Sequence, residues 1–306
     1  MNLSTVGAFK RLPEQEGVIR VEGELLKSLQ RVLCDMLSDI ARVCEAEHID
    51  YVLGGGTCLG AIRHHGFIPW DDDVDINMTR EGYRRLRTAL LSAYPGKYVI
   101  QDPQDTEGYE LGFPRVRLCN TVLRSREDFD DGECGVYVDI FLIEDVPNNG
   151  VARKLHGFGS LALGLGLSCR RFYEHAAAYL KLAGGDEEIV RVFRRKISLG
   201  RLCAFASTKA WTRAWDRWNG LWHAPASTYV SMPVGRKHYF GETYRRDDIL
   251  PGDFADFAGI QVRVPRNAQV YLGQLYGPDY MQLPPECERE THVVYELDLG
   301  DAGDAQ

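Results

Sequence analysis

Three aspartates in one short segment have the type and spacing to hold a metal ion. Asp71, Asp73 and Asp75 alternate within FIPWDDDVDINM, a segment that the sequence predicts to be a β-strand. Alternate residues of a strand share one face, so the three carboxylates are expected to point the same way, while Val74 and Ile76 point into a core. Carboxylates held that close repel one another unless a cation lies among them. Oxygen ligands of this kind suit Mg²⁺ or, alternatively, Mn²⁺.

A run of acidic residues is also typical of a solvated turn. Here the run lies between apolar residues and closely follows a glycine-rich turn at residues 54–57. This context favours the metal site over the solvated turn.

A fourth aspartate, Asp139, lies in the middle of VYVDIFLI (residues 136–143), the clearest strand of the chain. An unpaired carboxylate in such an apolar run would cost several kcal/mol, so Asp139 needs a partner. A salt bridge to Arg115 or Arg117 is one interpretation. A metal ion or a reacting hydroxyl is favoured, because a carboxylate from a second strand would complete a metal cage.

The glycine-rich turn connects a short apolar strand to a helix that starts at Cys58. Backbone N–H groups at the N-terminus of a helix bind phosphate groups readily. We therefore expect Gly55, Gly56 and Thr57 to bind the phosphates of a substrate.

Four basic residues are further candidates for substrate binding. Arg63 is the strongest, because its planar guanidinium matches phosphate oxygens. His64 is a candidate proton carrier, although a surface or hydrogen-bonding histidine is as good an interpretation. Arg115 and Arg117 alternate on one predicted strand and are weaker candidates, because either is also compatible with an ordinary strand-edge charge.

The elements that must position these residues follow from periodicity and turn signals. Apolar residues recur at steps of three and four along a long helix, residues 24–47, and alternate or cluster in the shorter strands. The further predicted strands are residues 49–53, 98–101, 113–118 and 260–264, and the further predicted helices are residues 83–91 and 268–276.

Charge and cysteine content exclude several classes of protein. The 306-residue chain has 36 basic and 44 acidic residues, a net charge of −8, so a general nucleic-acid binder is not expected. Eight scattered cysteines form no C-x-x-C pair, which argues against a zinc site and is typical of reduced thiols in a cytoplasmic protein. Stretches of about 18 apolar residues, as needed to span a membrane, are absent.

The middle of the chain is unusual in its charge and its aromatic residues. Residues 151–218 hold 13 basic and 5 acidic residues, a local excess of +8. This region is expected to contact an anionic membrane or an anionic glycolipid, or to form a solvated basic helix face. Near its start, the segment at 157–169 is expected to be buried or packed through its glycines, with contact to a membrane surface as the alternative. The region ends with four tryptophans at helical spacing, which we interpret as a packing stripe: Trp211, Trp215, Trp218 and Trp222.

Three long motifs resemble those of one protein family. LGGGTCLGAIRHHGFIPWDDDVDINMTREGYRRL (residues 53–86) closely resembles the central signature of the LicD family, usually GTLLGAxRHxGFIPWDDDxDI. VDIFLIEDVPNN (residues 138–149) resembles the second block, and VPRNAQVYLGQLYGPDYMQLPPECERETH (residues 264–292) resembles the closing block. The resemblance covers most of residues 24–292 and is weakest over about 151–225. The family contains phosphocholine and other CDP-alcohol phosphotransferases, and it shares its core with fukutin and fukutin-related protein.

The resemblance implies an α+β fold: a nucleotidyltransferase-type palm with a mixed β-sheet flanked by helices, plus a mainly helical insertion. The implied organisation is an N-terminal extension (residues 1–23), a nucleotidyltransferase-like catalytic core (24–150), a basic, mainly helical insertion (151–225), the C-terminal part of the LicD-like domain (226–293) and a mobile tail (294–306).

The resemblance also implies a reaction and its residues. A phosphorylated alcohol, with phosphocholine as the first candidate, would pass from a CDP-activated donor such as CDP-choline to a hydroxyl of a cell-surface glycan or glycolipid, with release of CMP. Asp73 and Asp75 match the paired metal-binding carboxylates, Asp71 adds a ligand, and Asp139 matches the third carboxylate of the palm. Asp73, Asp75 and Asp139 are thus expected to be catalytic, and all four aspartates to hold Mg²⁺. Asp139 is either a metal ligand or the acceptor of the hydroxyl proton.

Three other functions remain open at this point. The same palm would serve a nucleotidyltransferase that releases pyrophosphate, and the acidic run would serve a metal-dependent glycosyltransferase. The third alternative is an inactive binding module, which the loss of a metal carboxylate would indicate. The transferred alcohol is also open among choline, ribitol, glycerol and ethanolamine. The expected location is cytoplasmic, with peripheral contact at the inner face of the membrane as an additional expectation.

Overall fold

The computed structural model describes residues 19–125, 128, 132, 134–224, 226–286, 289 and 292–303. Its strands, in chain order, are β1 (Tyr51–Leu53), β2 (Asp75–Thr79), β3 (Tyr98–Gln101), β4 (Arg115–Leu118), β5 (Val122–Ser125), β6 (Tyr137–Asp145), β7 (Tyr229–Ser231), β8 (Thr243–Arg245), β9 (Asp253–Phe257), β10 (Ile260–Val264) and β11 (Val294–Asp298). Its helices are α1 (Gly23–Ala46), α2 (Gly55–His64), α3 (Arg80–Ala93), α4 (Gly150–Glu174), α5 (Ala176–Leu182), α6 (Glu187–Leu202), α7 (Thr208–Asn219), α8 (His238–Gly241), α9 (Arg246–Ile249) and α10 (Ala268–Tyr276), and a 3₁₀ helix covers Gly300–Gly303.

A mixed sheet forms the centre of the fold. Its strand order is β1-β2-β6-β4-β3, and β7 and then β8 extend it from the far half of β6. Strands β2 and β6 run parallel, whereas the other neighbouring pairs are antiparallel. The α+β fold with a mixed sheet and a separate helical segment, which the resemblance implies, is confirmed.

Helix α1 packs on this sheet because its apolar residues recur on one side. Leu29, Leu33, Leu37 and Ile40 are almost fully buried and belong to one core with the strands. The helix contacts β6 and α3. Its observed bounds, Gly23–Ala46, differ by one residue at each end from the prediction.

Strand β2 is shorter than the sequence predicts. The prediction covers residues 67–78, but the strand begins only at Asp75. Pro69 has no N–H to donate to a strand ladder, and the N–H of Asp71 donates to the carbonyl oxygen of Ile68 at 2.9 Å, which closes a turn. The strict alternation therefore fails for the first two aspartates, which lie in a loop that leads into the strand.

Helices α4 and α7 pack through glycines on α4 and indole rings on α7. A Cβ atom at any of three α4 glycines would lie too close to a ring, because each ring rests against the helix backbone. The pairs are Gly159 with Trp218, Gly164 with Trp215 and Gly166 with Trp211. The predicted packing stripe is confirmed for these three tryptophans. The prediction is wrong for Trp222, which lies beyond the end of α7 and is 44% exposed.

The two ends of the chain meet beside the sheet. Strand β11 pairs with β5, and Ile19 forms a bridge to Val294. The expectation of a mobile tail over residues 294–306 is therefore corrected: ladder hydrogen bonds hold its first part, and only 304–306 lie outside the described residues. Of the predicted extension at 1–23, residues 1–18 lie outside them too.

Within the described part of the chain, no helix is both long enough and apolar enough to cross a membrane.

Candidate active site

Three charged side chains meet in one row across the central sheet. Asp75 of β2 pairs in register with Asp139 of β6, and Asp139 pairs in register with Arg115 of β4. Paired residues of neighbouring strands lie side by side on the same face. The two carboxylates predicted to share a metal are therefore neighbours in the sheet, with a guanidinium on the far side of Asp139.

The loop before β2 brings the other aspartates to this row. Burial and the neighbouring Asp73 and Asp72 raise the pKa of Asp71 well above its ordinary value. Burial, together with Asp73, Asp139 and Asp71, raises the pKa of Asp75 in the same way. Burial likewise raises the pKa of Asp73 to about 6. The four predicted metal ligands thus form one cluster of mutually repelling carboxylates.

The chemistry of this cluster fits a divalent cation. The Oδ2 atom of Asp71 is buried and has no hydrogen-bond partner among the described residues, and an unsatisfied carboxylate oxygen is costly to bury. All four side chains offer oxygen atoms, the ligands that Mg²⁺ and Mn²⁺ prefer. A cation among them would pair the orphan oxygen and offset the repulsion.

The glycine-rich turn is shaped by the acidic side chains beside it. A Cβ atom at Gly55 would lie 2.8 Å from Oδ2 of Asp75, and one at Gly56 would lie 3.0 Å from Oδ2 of Asp71. The backbone of Gly55 also has a positive φ of 42°, which glycine adopts readily. Glycines are needed here because the carboxylates rest against the start of α2, whose N-terminal dipole favours negative charge.

Thr57 supports the acidic strand. Its hydroxyl oxygen accepts a hydrogen bond from the N–H of Asp75 at 2.9 Å, and its side chain is fully enclosed. The N–H of Gly54 donates to the carbonyl oxygen of Asp75 at 2.8 Å. The side chain of Thr57, expected to bind substrate, therefore acts on the strand backbone.

Tyr271 is a supporting residue that the sequence analysis missed. Its buried hydroxyl accepts a hydrogen bond from the N–H of Gly55 at 2.9 Å and a longer one, at 3.3 Å, from the side chain of Asn77. It ties α10 to the glycine-rich turn. An apolar position on a predicted helix gave no signal for this contact.

Arg115 and Arg117, the weaker candidates for substrate binding, are buried in the sheet and bonded to protein groups. Both side chains are only 1% exposed. Arg115 binds Asp139 through two hydrogen bonds of 2.5 and 2.9 Å, and despite its burial this carboxylate keeps the pKa of Arg115 well above its ordinary value. Arg117 is bound by Gln101, the carbonyl of Gly135 and the carboxylate of Asp128. The salt bridge considered as an alternative for Asp139 is thus present, and it lies at the edge of the acidic cluster.

Arg63 and His64 are bonded to protein groups at the far end of α2. Arg63 donates from Nη1 to the carbonyl oxygens of Tyr280 and Gln282, at 2.9 and 3.0 Å, and from Nε to His64 at 2.9 Å. Burial and the adjacent guanidinium lower the pKa of His64. These contacts anchor the segment that follows α10, so the predicted phosphate contact of Arg63 would require them to rearrange.

His292 also lies at the acidic cluster and was not predicted. Its Nδ1 lies 2.7 Å from Oδ1 of Asp72, and its Nε2 lies 3.6 Å from Oδ2 of Asp73. Asp72 was not among the residues predicted for the site. A residue 220 positions away in the chain cannot be paired with it from sequence spacing alone.

Two surface cavities lie elsewhere. One, of about 380 Å³, lies beside the start of α3, and the other, of about 430 Å³, lies between α3 and the segment after β3. None of the four clustered aspartates lines either cavity.

Part of the chain matches a known family, and the chain is similar in sequence to several known proteins. Residues 48–154 match the model described as the LicD/FKTN/FKRP nucleotidyltransferase domain. The lipopolysaccharide cholinephosphotransferase LicD of Haemophilus influenzae is 28% identical over 281 residues, which cover 89% of this chain and 97% of the relative. Two uncharacterized proteins match shorter parts of the chain. The one of Rickettsia prowazekii is 35% identical over 77 residues, which cover 25% of this chain and 27% of the relative. The one of Rickettsia typhi is 41% identical over 49 residues, which cover 16% of each. The matched domain contains the glycine-rich turn and all four clustered aspartates.

Proposed function

We propose that the chain is a LicD-family transferase, since residues 48–154 match the LicD/FKTN/FKRP nucleotidyltransferase domain and the cholinephosphotransferase LicD is 28% identical over 89% of the chain. It would move a phosphorylated alcohol from a CDP-activated donor to a glycan hydroxyl and release CMP. Phosphocholine is the first candidate, since the relative aligned over nearly its whole length is a cholinephosphotransferase. The acceptor we propose is a cell-surface glycan: lipopolysaccharide, as that relative's name indicates, or a capsule or teichoic acid. The observation that carries the proposal is the row formed by Asp75 and Asp139, with the orphan oxygen of Asp71 beside it.

The cofactor we propose is Mg²⁺, with Mn²⁺ as an alternative. Asp71, Asp73, Asp75 and Asp139 would hold it. When bound, the cation would neutralise charge on the donor diphosphate and on the departing CMP.

The roles of the chain's own residues follow from their contacts. Arg115 engages both oxygens of Asp139, which favours a fixed, ionised carboxylate over a proton acceptor. We therefore propose Asp139 as a metal ligand. Thr57 and Tyr271 hold the start of β2 and of α2, so that Asp75 keeps one position relative to the donor. A fixed geometry of this kind lowers the entropy cost of an in-line displacement.

The backbone N–H groups at the start of α2 remain the proposed contact for the donor phosphates. Gly56 and Thr57 lie in the first turn of that helix, where amide groups point outward along the axis. Arg63 lies at the opposite end of the helix, which makes it the weaker candidate.

Product analysis tests this proposal. The purified chain is incubated with Mg²⁺ and a panel of CDP-choline, CDP-ribitol, CDP-glycerol and CDP-ethanolamine, and CMP is measured with and without a glycan acceptor. We expect CMP from one donor of the panel and none after chelation of the metal. CTP with a phosphorylated alcohol serves as the comparison: pyrophosphate from CTP, without CMP from any CDP-alcohol, would assign the chain to the rival class of nucleotidyltransferases.

A metal-dependent glycosyltransferase is less well supported. Its short acidic motif would not require a carboxylate from a parallel neighbouring strand, whereas Asp139 lies in register with Asp75. An inactive binding module is also disfavoured, because every carboxylate of the cluster is present.

We further propose a cytoplasmic location with peripheral contact at the inner face of the membrane. Helix α4 carries an apolar stripe at steps of four, three and seven, and its members are 56–69% exposed: Val151, Leu155, Phe158 and Leu165. Helix α6 packs beside α4, with Gly200 against Cys169 and Tyr173. The exposed side of α6 carries three arginines together with two exposed leucines, a combination that suits an anionic lipid surface: Arg191, Arg194, Arg195, Leu199 and Leu202.

A further inference from the structure

The segment that follows α10 is held by α2 and by the acidic loop that precedes β2. Arg63 holds two of its carbonyl groups, as described above. The guanidinium of Arg289 lies over the ring of Trp70, with 4.3 Å between the guanidinium carbon and the ring centroid. Trp70 immediately precedes the aspartates, so these contacts place the end of the segment directly beside the cluster.

His292 has a defined orientation there. Asp72 accepts two hydrogen bonds from it: Oδ1 from the ring Nδ1–H at 2.7 Å and Oδ2 from the backbone N–H at 3.1 Å. An aspartate that accepts from Nδ1 fixes the tautomer of a neutral imidazole and directs its Nε2 lone pair to the other side of the ring. On that side, Nε2 faces Asp73.

The spacing between Nε2 and Asp73 suits two ligands of one ion. Nε2 lies 3.6 Å from Oδ2 of Asp73, which is longer than a hydrogen bond. The ligand atoms of Asp72, Asp73 and His292 all lie within 4.8 Å of one another. A histidine that binds a metal almost always donates its other ring N–H to a carboxylate, which is the arrangement of Asp72 and His292.

We propose that His292 is a nitrogen ligand of the divalent cation and that Asp72 is the residue that orients it. This inference rests on the metal site proposed above and adds a ligand from the far end of the chain. Imidazole nitrogen binds transition metals more strongly than it binds Mg²⁺. The site would then prefer Mn²⁺ over Mg²⁺ more strongly than a site of carboxylates alone.

The test uses Mn²⁺ alone with the full chain and requires no substrate. Pulsed electron paramagnetic resonance detects coupling between bound Mn²⁺ and a directly coordinated ¹⁴N nucleus. We expect this coupling in the native chain, its loss in His292→Gln and its retention in His223→Gln. His223 is a matched control, because its ring also lies 3.6 Å from a carboxylate, that of Asp145, away from the cluster.

Affinity gives a second readout. We expect His292→Gln to weaken Mn²⁺ binding by about tenfold or more and Mg²⁺ binding by less, with Asp72→Asn weakening Mn²⁺ binding by about 10–100-fold. Circular dichroism and thermal melting check that each variant folds. Bound Mn²⁺ without ¹⁴N coupling in the native chain would overturn the role of His292 and leave the carboxylate site intact. A folded native chain that binds neither Mn²⁺ nor Mg²⁺ would instead overturn the metal site itself.

Discussion

At the scale of single residues, the site is a group of interacting charges, in which carboxylates outnumber the cationic side chains. Arg115 neutralises Asp139 from one side, while Asp75 faces it from the other with a raised pKa. One guanidinium cannot balance four clustered carboxylates. The surplus negative charge is the physical reason for expecting a cation. The glycines at the start of α2 have a steric role, because a side chain at Gly55 or Gly56 would collide with a carboxylate of the cluster.

The pair of Arg115 and Asp139 should contribute strongly to stability. Replacing Arg115 by Met leaves a buried carboxylate without its partner, which is expected to cost about 3–5 kcal/mol of unfolding free energy. The double variant Arg115→Met with Asp139→Asn should lose less unfolding free energy than the sum of the two single variants, because it leaves neither charge of the pair buried without its partner. Urea unfolding measures all three. A loss below about 1 kcal/mol for Arg115→Met would contradict the pairing.

Glu242 should make stability depend on pH. Burial raises its pKa to about 7, although the N–H of Lys237 donates to the carboxylate at 2.7 Å. The folded state thus keeps the proton at pH values where the unfolded chain, with an ordinary glutamate pKa, has lost it. Stability from this group is therefore highest in acid and falls as the pH rises from about 4.5 to about 7, by up to about 3 kcal/mol.

The comparison with Glu242→Gln isolates this effect. The glutamine keeps an acceptor for Lys237 but carries no charge. We expect urea unfolding to show the native chain losing stability relative to the variant across this pH window. A difference between the two that does not change with pH would show that Glu242 ionises normally in the folded protein.

At the scale of elements, periodicity predicts the long pieces well and the loops poorly. Helix α1 and strand β6 were predicted closely, because burial against the sheet requires their apolar patterns. The loop that carries Asp71 and Asp73 was predicted as part of a strand, since apolar residues flank the aspartates on both sides. Pro69 was the signal against that interpretation.

The contacts of the site were harder to predict than its residues. Residue spacing and the family resemblance both pointed to the four aspartates, and the structure brings them together. Arg115 and Arg117 were left open between substrate binding, a strand-edge charge and a salt bridge to Asp139, because the sequence does not show that strand β4 lies beside β6 in the sheet. Tyr271 and His292 were missed because their partners lie more than 190 positions away in the chain.

The packing of α4 on α7 yields a prediction with an internal control. In Gly159→Ala, the new methyl group would overlap the indole of Trp218, so we expect a loss of about 1–3 kcal/mol. Gly273 lies within α10, and a Cβ atom there would meet nothing within 4 Å. Gly273→Ala should therefore stabilise the protein by up to about 1 kcal/mol through helix propensity. Equal effects of the two substitutions on thermal melting would contradict the packing account.

At the scale of the whole molecule, the net charge of −8 hides two regions of opposite sign. Residues 151–218 carry a net charge of +8 (13 basic and 5 acidic residues), so the rest of the chain, which includes the proposed metal site, carries −16. The basic region also carries the exposed stripe of α4 (Val151, Leu155, Phe158 and Leu165). The separation is consistent with a catalytic centre that binds a cation and a helical surface that meets anionic lipid.

Vesicle binding tests this arrangement. The native chain should sediment with vesicles rich in phosphatidylglycerol more than with neutral phosphatidylcholine vesicles, and the difference should shrink at high salt. Leu155→Ser with Phe158→Ser should reduce binding, because both side chains are exposed on the stripe. Phe254→Ser is the control, since Phe254 is 59% exposed on β9, outside the helical segment. Equal binding by the double variant and the native chain would contradict the membrane contact.

The most direct test of the central claim compares two aspartate substitutions in one assay of CMP release. The donor is the CDP-alcohol that the native chain turns over fastest, in the presence of Mg²⁺. Asp75→Asn removes a carboxylate from the cluster, whereas Asp50→Asn removes an exposed one just before β1. Since metal assistance contributes several kcal/mol, we predict that Asp75→Asn folds normally and loses at least about a hundredfold in turnover, while Asp50→Asn keeps it. Near-normal turnover by folded Asp75→Asn would contradict the account.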